Sequence, residues 1–247
     1  MKPTAVPLVL IHGVGLDHTM WLPVMSALPH RRTVTYDMIG HGRAAKPIGP
    51  YTLDTFVDQL ARVVDALDCV VDLVGFSMGA MVAQGFAQSE PGGRIRRMVL
   101  LNAVHDRTES ERSAVADRVV DVRGGEFAAT VEPALQRWFT PPFCTARPAV
   151  IESVRRVLLD NDLASYADAY EVFATADAHL ADHVARIQVP TLVATGEDDQ
   201  RSTPSMATAL AAALPNGRSL VLPGLRHLTP CEAPDAVAMM IDQFTTD

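Results

Sequence analysis

Ser77 lies in Gly75-Phe76-Ser77-Met78-Gly79, a Gly-x-Ser-x-Gly pentapeptide between an apolar β-type run, Val70–Val74, and a helical run, Ala80–Gln84. A serine on so tight a strand-to-helix turn needs small flanking residues, because a Cβ there meets crowded backbone. Gly75 and Gly79 provide that room, and the helix that follows aims its first N–H groups at the same spot. A hydroxyl held this way is suited to attack an acyl carbon. It becomes a nucleophile only with a base to take its proton, an acid to orient that base, and N–H donors to hold the oxyanion.

His227 is the best base. It sits in Pro223-Gly224-Leu225-Arg226-His227-Leu228, between the last apolar strand pattern and the terminal helical one. That is the carboxyl edge of the sheet, where an open α/β sheet keeps its site. Gly196-Glu197-Asp198-Asp199 follows the preceding strand and offers the acid. A turn of that length carries Asp199 toward the histidine loop, with Asp198 as the next choice. The oxyanion donors are the backbone N–H of Met78, directly after the serine, and of Val14 in the glycine-bearing loop His12-Gly13-Val14-Gly15. His12 has no acid placed to orient it, so it reads as a structural hydrogen-bonder.

Other side chains are candidates for the walls of an apolar pocket: Trp21, Trp138, Phe139, Phe143 and Leu228, with Met20 and Met78 beside them. His105 follows a strand's carboxyl end and is within reach of the same place. Arg107 and Arg137 could each clamp a carboxylate with a guanidinium fork, although solvation or an internal ion pair would occupy them equally well. Asp37 and His41-Gly42-Arg43 read as a structural turn in which Arg43 pairs with Asp37. Cys144 and Cys231 lack basic neighbours and read as inert.

These residues need a frame, and the chain supplies one. It has 247 residues, 48% of them hydrophobic, enough for one large α/β domain with an inserted subdomain. Leu8–Ile11, Thr33–Tyr36, Val70–Val74, Met98–Leu101, Val189–Thr195 and Ser219–Leu222 are strand-like, and helical patterns lie between them. Pro23–Leu28 is a short helix. Thr52 or Asp54 caps a helix to Leu67 with Phe56, Val57, Leu60, Val63, Val64 and Leu67 on one face, and the helix after Ser77 ends near Pro91-Gly92-Gly93. The alternation stops from about Asp106 to Arg186, where the expected helices are Ser110–Val122, Glu126–Trp138, Pro148–Asp160, Ser165–Thr175 and Ala178–Ala185. Trp138–Phe143 reads as a break. Pro190 opens the fifth strand; Ser205–Leu214 and Pro234–Phe244 are helices.

Composition excludes several functions. The net charge is −8 with no basic run, which argues against nucleic-acid binding. No apolar stretch approaches the ~18 residues of a membrane span, and Met1–Pro7 lacks a signal-peptide core. The three cysteines, Cys69, Cys144 and Cys231, form no pair or metal pattern, so a reduced cytoplasmic setting is expected, with no metal and no cofactor.

His12-Gly13-Val14-Gly15, Tyr36–Gly42, Gly75–Gly79, Gly196–Asp199 and Gly224–His227 occur in the order and at the spacing of one family, and the chain resembles the α/β-hydrolase superfamily over nearly its full length. The resemblance implies an α/β-hydrolase fold with a mainly parallel, doubly wound sheet. The family's acid stands at the position of Asp199. Only a short stretch precedes the first strand, so the usual N-terminal antiparallel pair should be missing, leaving about six strands. Residues 106–186 look like the family's helical cap on a core of residues 1–105 and 187–247. Arg137-Trp138-Phe139-Thr140-Pro141 and Ser202-Thr203-Pro204-Ser205-Met206 are similar to the branch of 3-oxoadipate enol-lactonase-like proteins. The expectation is a serine hydrolase of a small ester or lactone, such as a carboxylate-bearing enol-lactone, in a chain compatible with a homodimer. The alternatives are carbon–carbon hydrolysis of vinylogous diketones on the same residues, a cofactor-free haloperoxidase-type activity, or a ligand receptor without catalysis.

Overall fold

The computed structural model describes residues 6–89 and 93–246. Pro91 and Gly92, at the expected end of the helix after Ser77, lie outside the described residues, as do residues 1–5 of the N-terminal stretch. The strands are β1 (Leu8–Ile11), β2 (Thr33–Thr35), β3 (Val71–Phe76), β4 (Ile95–Leu101), β5 (Thr191–Gly196) and β6 (Gly217–Leu222). They form one six-stranded sheet in the order β2-β1-β3-β4-β5-β6, with every neighbouring pair parallel. Among the described residues no strand precedes β1. β1, β3 and β5 are buried along their whole length, which is why they are near-continuous apolar runs.

Between strands run α1 (Leu22–Ser26), α2 (Leu53–Leu67) and α3 (Met78–Ser89). Past β4 the chain passes through α4 (Glu109–Arg123), α5 (Phe127–Trp138), α6 (Pro141–Ala146), α7 (Pro148–Leu159) and α8 (Leu163–His183) before returning as β5. α9 (Pro204–Ala213), α10 (Thr229–Glu232) and α11 (Pro234–Thr246) complete the fold. α2 packs on α3, and α1 on α11, so helices flank the sheet. Thr52 caps α2 by accepting from the Thr55 N–H, and Phe56, Val57, Leu60 and Val64 are its buried stripe, while Val63 and Leu67 stay partly exposed. None of the described helices is long and apolar enough to cross a membrane.

Three local expectations need correction. α8 is one unbroken helix where Ser165–Thr175 and Ala178–Ala185 read as two. Asp177 interrupts the apolar pattern there, but it is buried inside the helix because it accepts from the Arg107 backbone N–H at 2.9 Å and from its Nη1 at 3.3 Å. α6 forms where a break was expected, because Thr140 caps it and prolines occupy its first turn, where no N–H is needed. Pro190 precedes β5 rather than opening it.

Buried histidines tie the front of the sheet together. His12 Nε2 accepts from the Met38 N–H at 2.9 Å, and its Nδ1 donates to the Gly13 carbonyl at 2.8 Å. His41 Nδ1 donates to the Ile39 carbonyl at 3.0 Å, and the two rings meet edge-on at 5.2 Å. Arg43 reaches Asp37 through its backbone N–H at 2.8 Å and makes no guanidinium pair with it; His18 Nδ1 holds the other carboxylate oxygen at 2.7 Å. Burial pushes the pKa of His12 down to about 4; burial and then the His12 charge push His41 down to about 3. Both rings are neutral in the folded chain, whereas an unfolded histidine titrates near ~6.5. Below that pH the unfolded chain binds protons that the folded chain refuses. The contribution of these two histidines to stability is therefore complete above pH ~6.5 and falls as pH drops toward the folded values, by about 1.4 kcal/mol per pH unit for each. Urea unfolding between pH 7.5 and 5 is expected to show that slope, and His41→Phe to reduce it by about half.

Candidate active site

Ser77 sits on the turn between β3 and α3 with φ 53°, a left-handed conformation that side chains other than glycine rarely adopt. Its N–H donates to the Leu101 carbonyl at 2.8 Å, and its carbonyl accepts from Ala80 at 3.0 Å, so backbone on both sides fixes the turn. A Cβ on Gly75 would fall on the Gly79 carbonyl, and one on Gly79 on the Ile11 and His12 carbonyls. The loop that carries Val14 is therefore pressed against the start of α3.

Asp199 and His227 arrive from the neighbouring strand ends. His227 Nδ1 donates to Asp199 Oδ2 at 2.7 Å. The same oxygen accepts from Asn102 Nδ2 at 2.8 Å, and Oδ1 accepts from the N–H groups of Arg201 and Ser202, each at 3.0 Å. Burial alone would raise the pKa of this carboxyl; the His227 ring, Asn102 and the Arg201 N–H outweigh it and hold Asp199 below the ordinary carboxylate value. Asp198, the alternative acid, faces solvent, and Glu197 accepts from the Gly224 N–H at 2.9 Å.

Asn102 was not legible as a site residue. It follows the apolar end of β4, is fully buried, and has φ 48°. Its Oδ1 accepts from Thr229 Oγ1 at 2.7 Å, so one amide joins the acid to the loop bearing the histidine. The available signal was a polar residue directly after an apolar strand at the carboxyl edge. Arg226 makes a second tie: its Nη1 donates to the carbonyls of Gln136 at 2.6 Å and Phe139 at 3.0 Å, and the Leu228 N–H donates to Trp138 at 3.0 Å.

Ser77, Asp199, His227 and Val14 line one cavity of about 120 Å³ between the sheet edge and the helical insertion, and Arg137 and Trp138 form part of its wall. Trp138 lies 6.0 Å and Phe76 5.1 Å from the His227 ring, centre to centre. The other expected wall residues are elsewhere. Trp21, Phe139 and Leu228 are fully buried in the core, Phe143 stacks on Phe139 at 5.3 Å, and His105 stands outside the lining. These aromatic and aliphatic side chains belong to, or pack against, one continuous core shared by the sheet and the helices between β4 and β5. Met78 is also fully buried, so only its backbone could serve the cavity. Arg107 is taken by Asp177 and lies 4.4 Å from the Phe173 ring. Cys231 is buried, which pushes its thiol up to about 12.

Residues 8–239 match the model of the alpha/beta hydrolase family, and the chain belongs to that family. It is 34% identical to an (E)-2-((N-methylformamido)methylene)succinate hydrolase of Acinetobacter baylyi, over 94% of this chain and 87% of that protein. It is 26% identical to 3-oxoadipate enol-lactonase 2 of the same organism, over 93% of this chain and 84% of the relative. Among solved structures, the enol-lactonase from Burkholderia xenovorans superposes with a TM-score of 0.89 at 30% identity, covering 98% of this chain and 92% of that one.

Asn102→Ala removes a donor to Asp199 and the acceptor for Thr229 while both stay buried. Leaving such groups unpaired costs about 1–3 kcal/mol each. Chemical denaturation of the variant is expected to show a loss of at least that size, and an unchanged midpoint would remove Asn102 from the account.

Proposed function

We propose that the protein is a serine hydrolase that opens a small carboxylic ester or lactone through an acyl-enzyme. The observation that carries this reading is the common cavity of Ser77, His227 and Asp199, with the imidazole tied to the acid at 2.7 Å. In this mechanism His227 takes the Ser77 proton as Oγ attacks the acyl carbon, and returns it to the leaving oxygen. The Val14 and Met78 N–H groups hold the oxyanion, and the same base then activates water to release the acid. Asp199, kept ionised by its donors, fixes the tautomer that leaves Nε2 free to accept.

Residues 106–186 act as a cap over residues 1–105 and 187–247 in this reading, and Trp138 gives the cavity its flat apolar wall. The names of the two relatives favour a substrate with a carboxylate, since one acts on a succinate and the other on a lactone of an oxoadipate. A carboxylate-bearing enol-lactone is the substrate type that fits both the wall and the resemblance of the Arg137–Pro141 segment.

Ser77→Ala is expected to lower p-nitrophenyl acetate turnover by at least about a thousandfold, the usual scale for loss of the nucleophile. A fluorophosphonate should add its mass to the wild-type peptide containing Ser77 and leave the variant unlabelled. Full turnover by the variant would sink the assignment.

A further inference from the structure

The cavity that holds Ser77 also holds Arg118, Arg137 and Arg201. Their neighbours do not neutralise them. Among the described residues no carboxylate lies within the 4.0 Å of an ion pair from any of the three. Arg107, on the same wall, differs in having Asp177 as its partner at 3.3 Å. Arg118 lies 5.3 Å from the Tyr170 ring, spends one Nη2 bond on Thr130 Oγ1 at 3.2 Å, and has a buried Nε with no partner. Arg137 is half-buried; burial, and then the charges of Arg118 and Arg201, hold its pKa below the ordinary arginine value. The side chains of Arg137 and Arg201 donate to no protein group among the described residues.

Two acids share this lining, and both are already engaged. Glu111 Oε2 accepts from the Thr108 N–H at 2.8 Å and its Oγ1 at 2.9 Å, as the reciprocal cap of α4. Asp199 is saturated by His227, Asn102 and two N–H groups. Glu111 and the ionised Asp199 offset two of the three charges, which leaves a net positive charge and three guanidinium forks without an ion-pair partner facing the space beside Ser77. Arg118 and Arg137 are partly buried and Arg201 is exposed at the rim, so the three like charges repel one another unless an anion meets them, and a guanidinium fork matches a carboxylate.

We propose that Arg118, Arg137 and Arg201 form an anion subsite for a dianionic substrate, one with two free carboxylates in addition to the acyl bond that is cleaved. This deepens the hydrolase reading and rests on it for the role of Ser77, but the subsite itself is defined by charge and can be tested by binding alone.

The test is calorimetric titration of the unaltered protein with succinate, succinamate and succinamide, which are nearly isosteric and carry two, one and no negative charges. Each charge-assisted contact is expected to contribute about tenfold or more in affinity, so succinate should bind at least about a hundredfold more tightly than succinamide, with succinamate between. The preference should shrink as sodium chloride is raised, because these groups are only partly buried. Arg118→Gln and Arg137→Gln should each reduce the succinate-to-succinamide ratio about tenfold, and the conservative Arg137→Lys should reduce it less. Equal affinity for the three probes, absence of succinate binding at millimolar concentration, or an unchanged ratio in both glutamine variants would overturn the proposal. The salt response of the unaltered protein decides the matter if a variant fails to fold: an affinity for succinate that does not fall with salt counts against the subsite. No readout requires turnover, so a failure of the Ser77 assignment would leave this result standing, and the reverse.

Discussion

The buried carboxylate of Asp199 is the point on which the site depends. An ionised acid removed from water is tolerated only when every lone pair finds a donor. Here the donors come from three places: the imidazole of His227 after β6, the amide of Asn102 after β4, and the N–H groups of its own turn. The requirement to satisfy one carboxylate thus fixes the ends of neighbouring strands relative to one another. Asn102 extends this order to Thr229, so the loop bearing the histidine is held both at the ring and behind it.

The serine side is held by a different force, steric rather than electrostatic. The left-handed backbone of Ser77 is costly, and it persists because the surrounding chain leaves no alternative. The approach of Gly79 to the carbonyls at the end of β1 is closer than any side chain would allow. The same contact sets the height of the loop carrying Val14. One half of the site is thus positioned by hydrogen bonds to a charge and the other by backbone in contact with backbone.

Much of this was legible in the sequence for a physical reason. Strands buried on both faces must be continuous apolar runs, and a turn with no room for Cβ must use glycine, so β1, β3, β5 and the serine turn announce themselves in local composition. The rest depends on partners far along the chain. Asp177 looks like a helix break until Arg107, seventy residues earlier, is seen to pair with it. Trp21 and Phe139 have the chemistry of pocket walls but lie in the core. Arg118 and Arg201, by contrast, look like ordinary surface arginines in the sequence, and only the packing of α4 on α8 and the turn after β5 bring them to the cavity. Asn102 was hidden in the same way, since nothing local distinguishes an amide that bridges two loops from one that caps a turn.

The bonds from Arg226 to the last carbonyls of α5, with that from Leu228 to Trp138, have a mechanical consequence. The end of α5 and the histidine loop move as one lever. Swinging α5 away from the sheet would carry the imidazole with it and disassemble the site just as a molecule arrived. On the opposite wall α4 contributes Ala114, Val115 and Arg118; it is packed on α8 and α5 and, among the described residues, makes no hydrogen bond to the histidine loop.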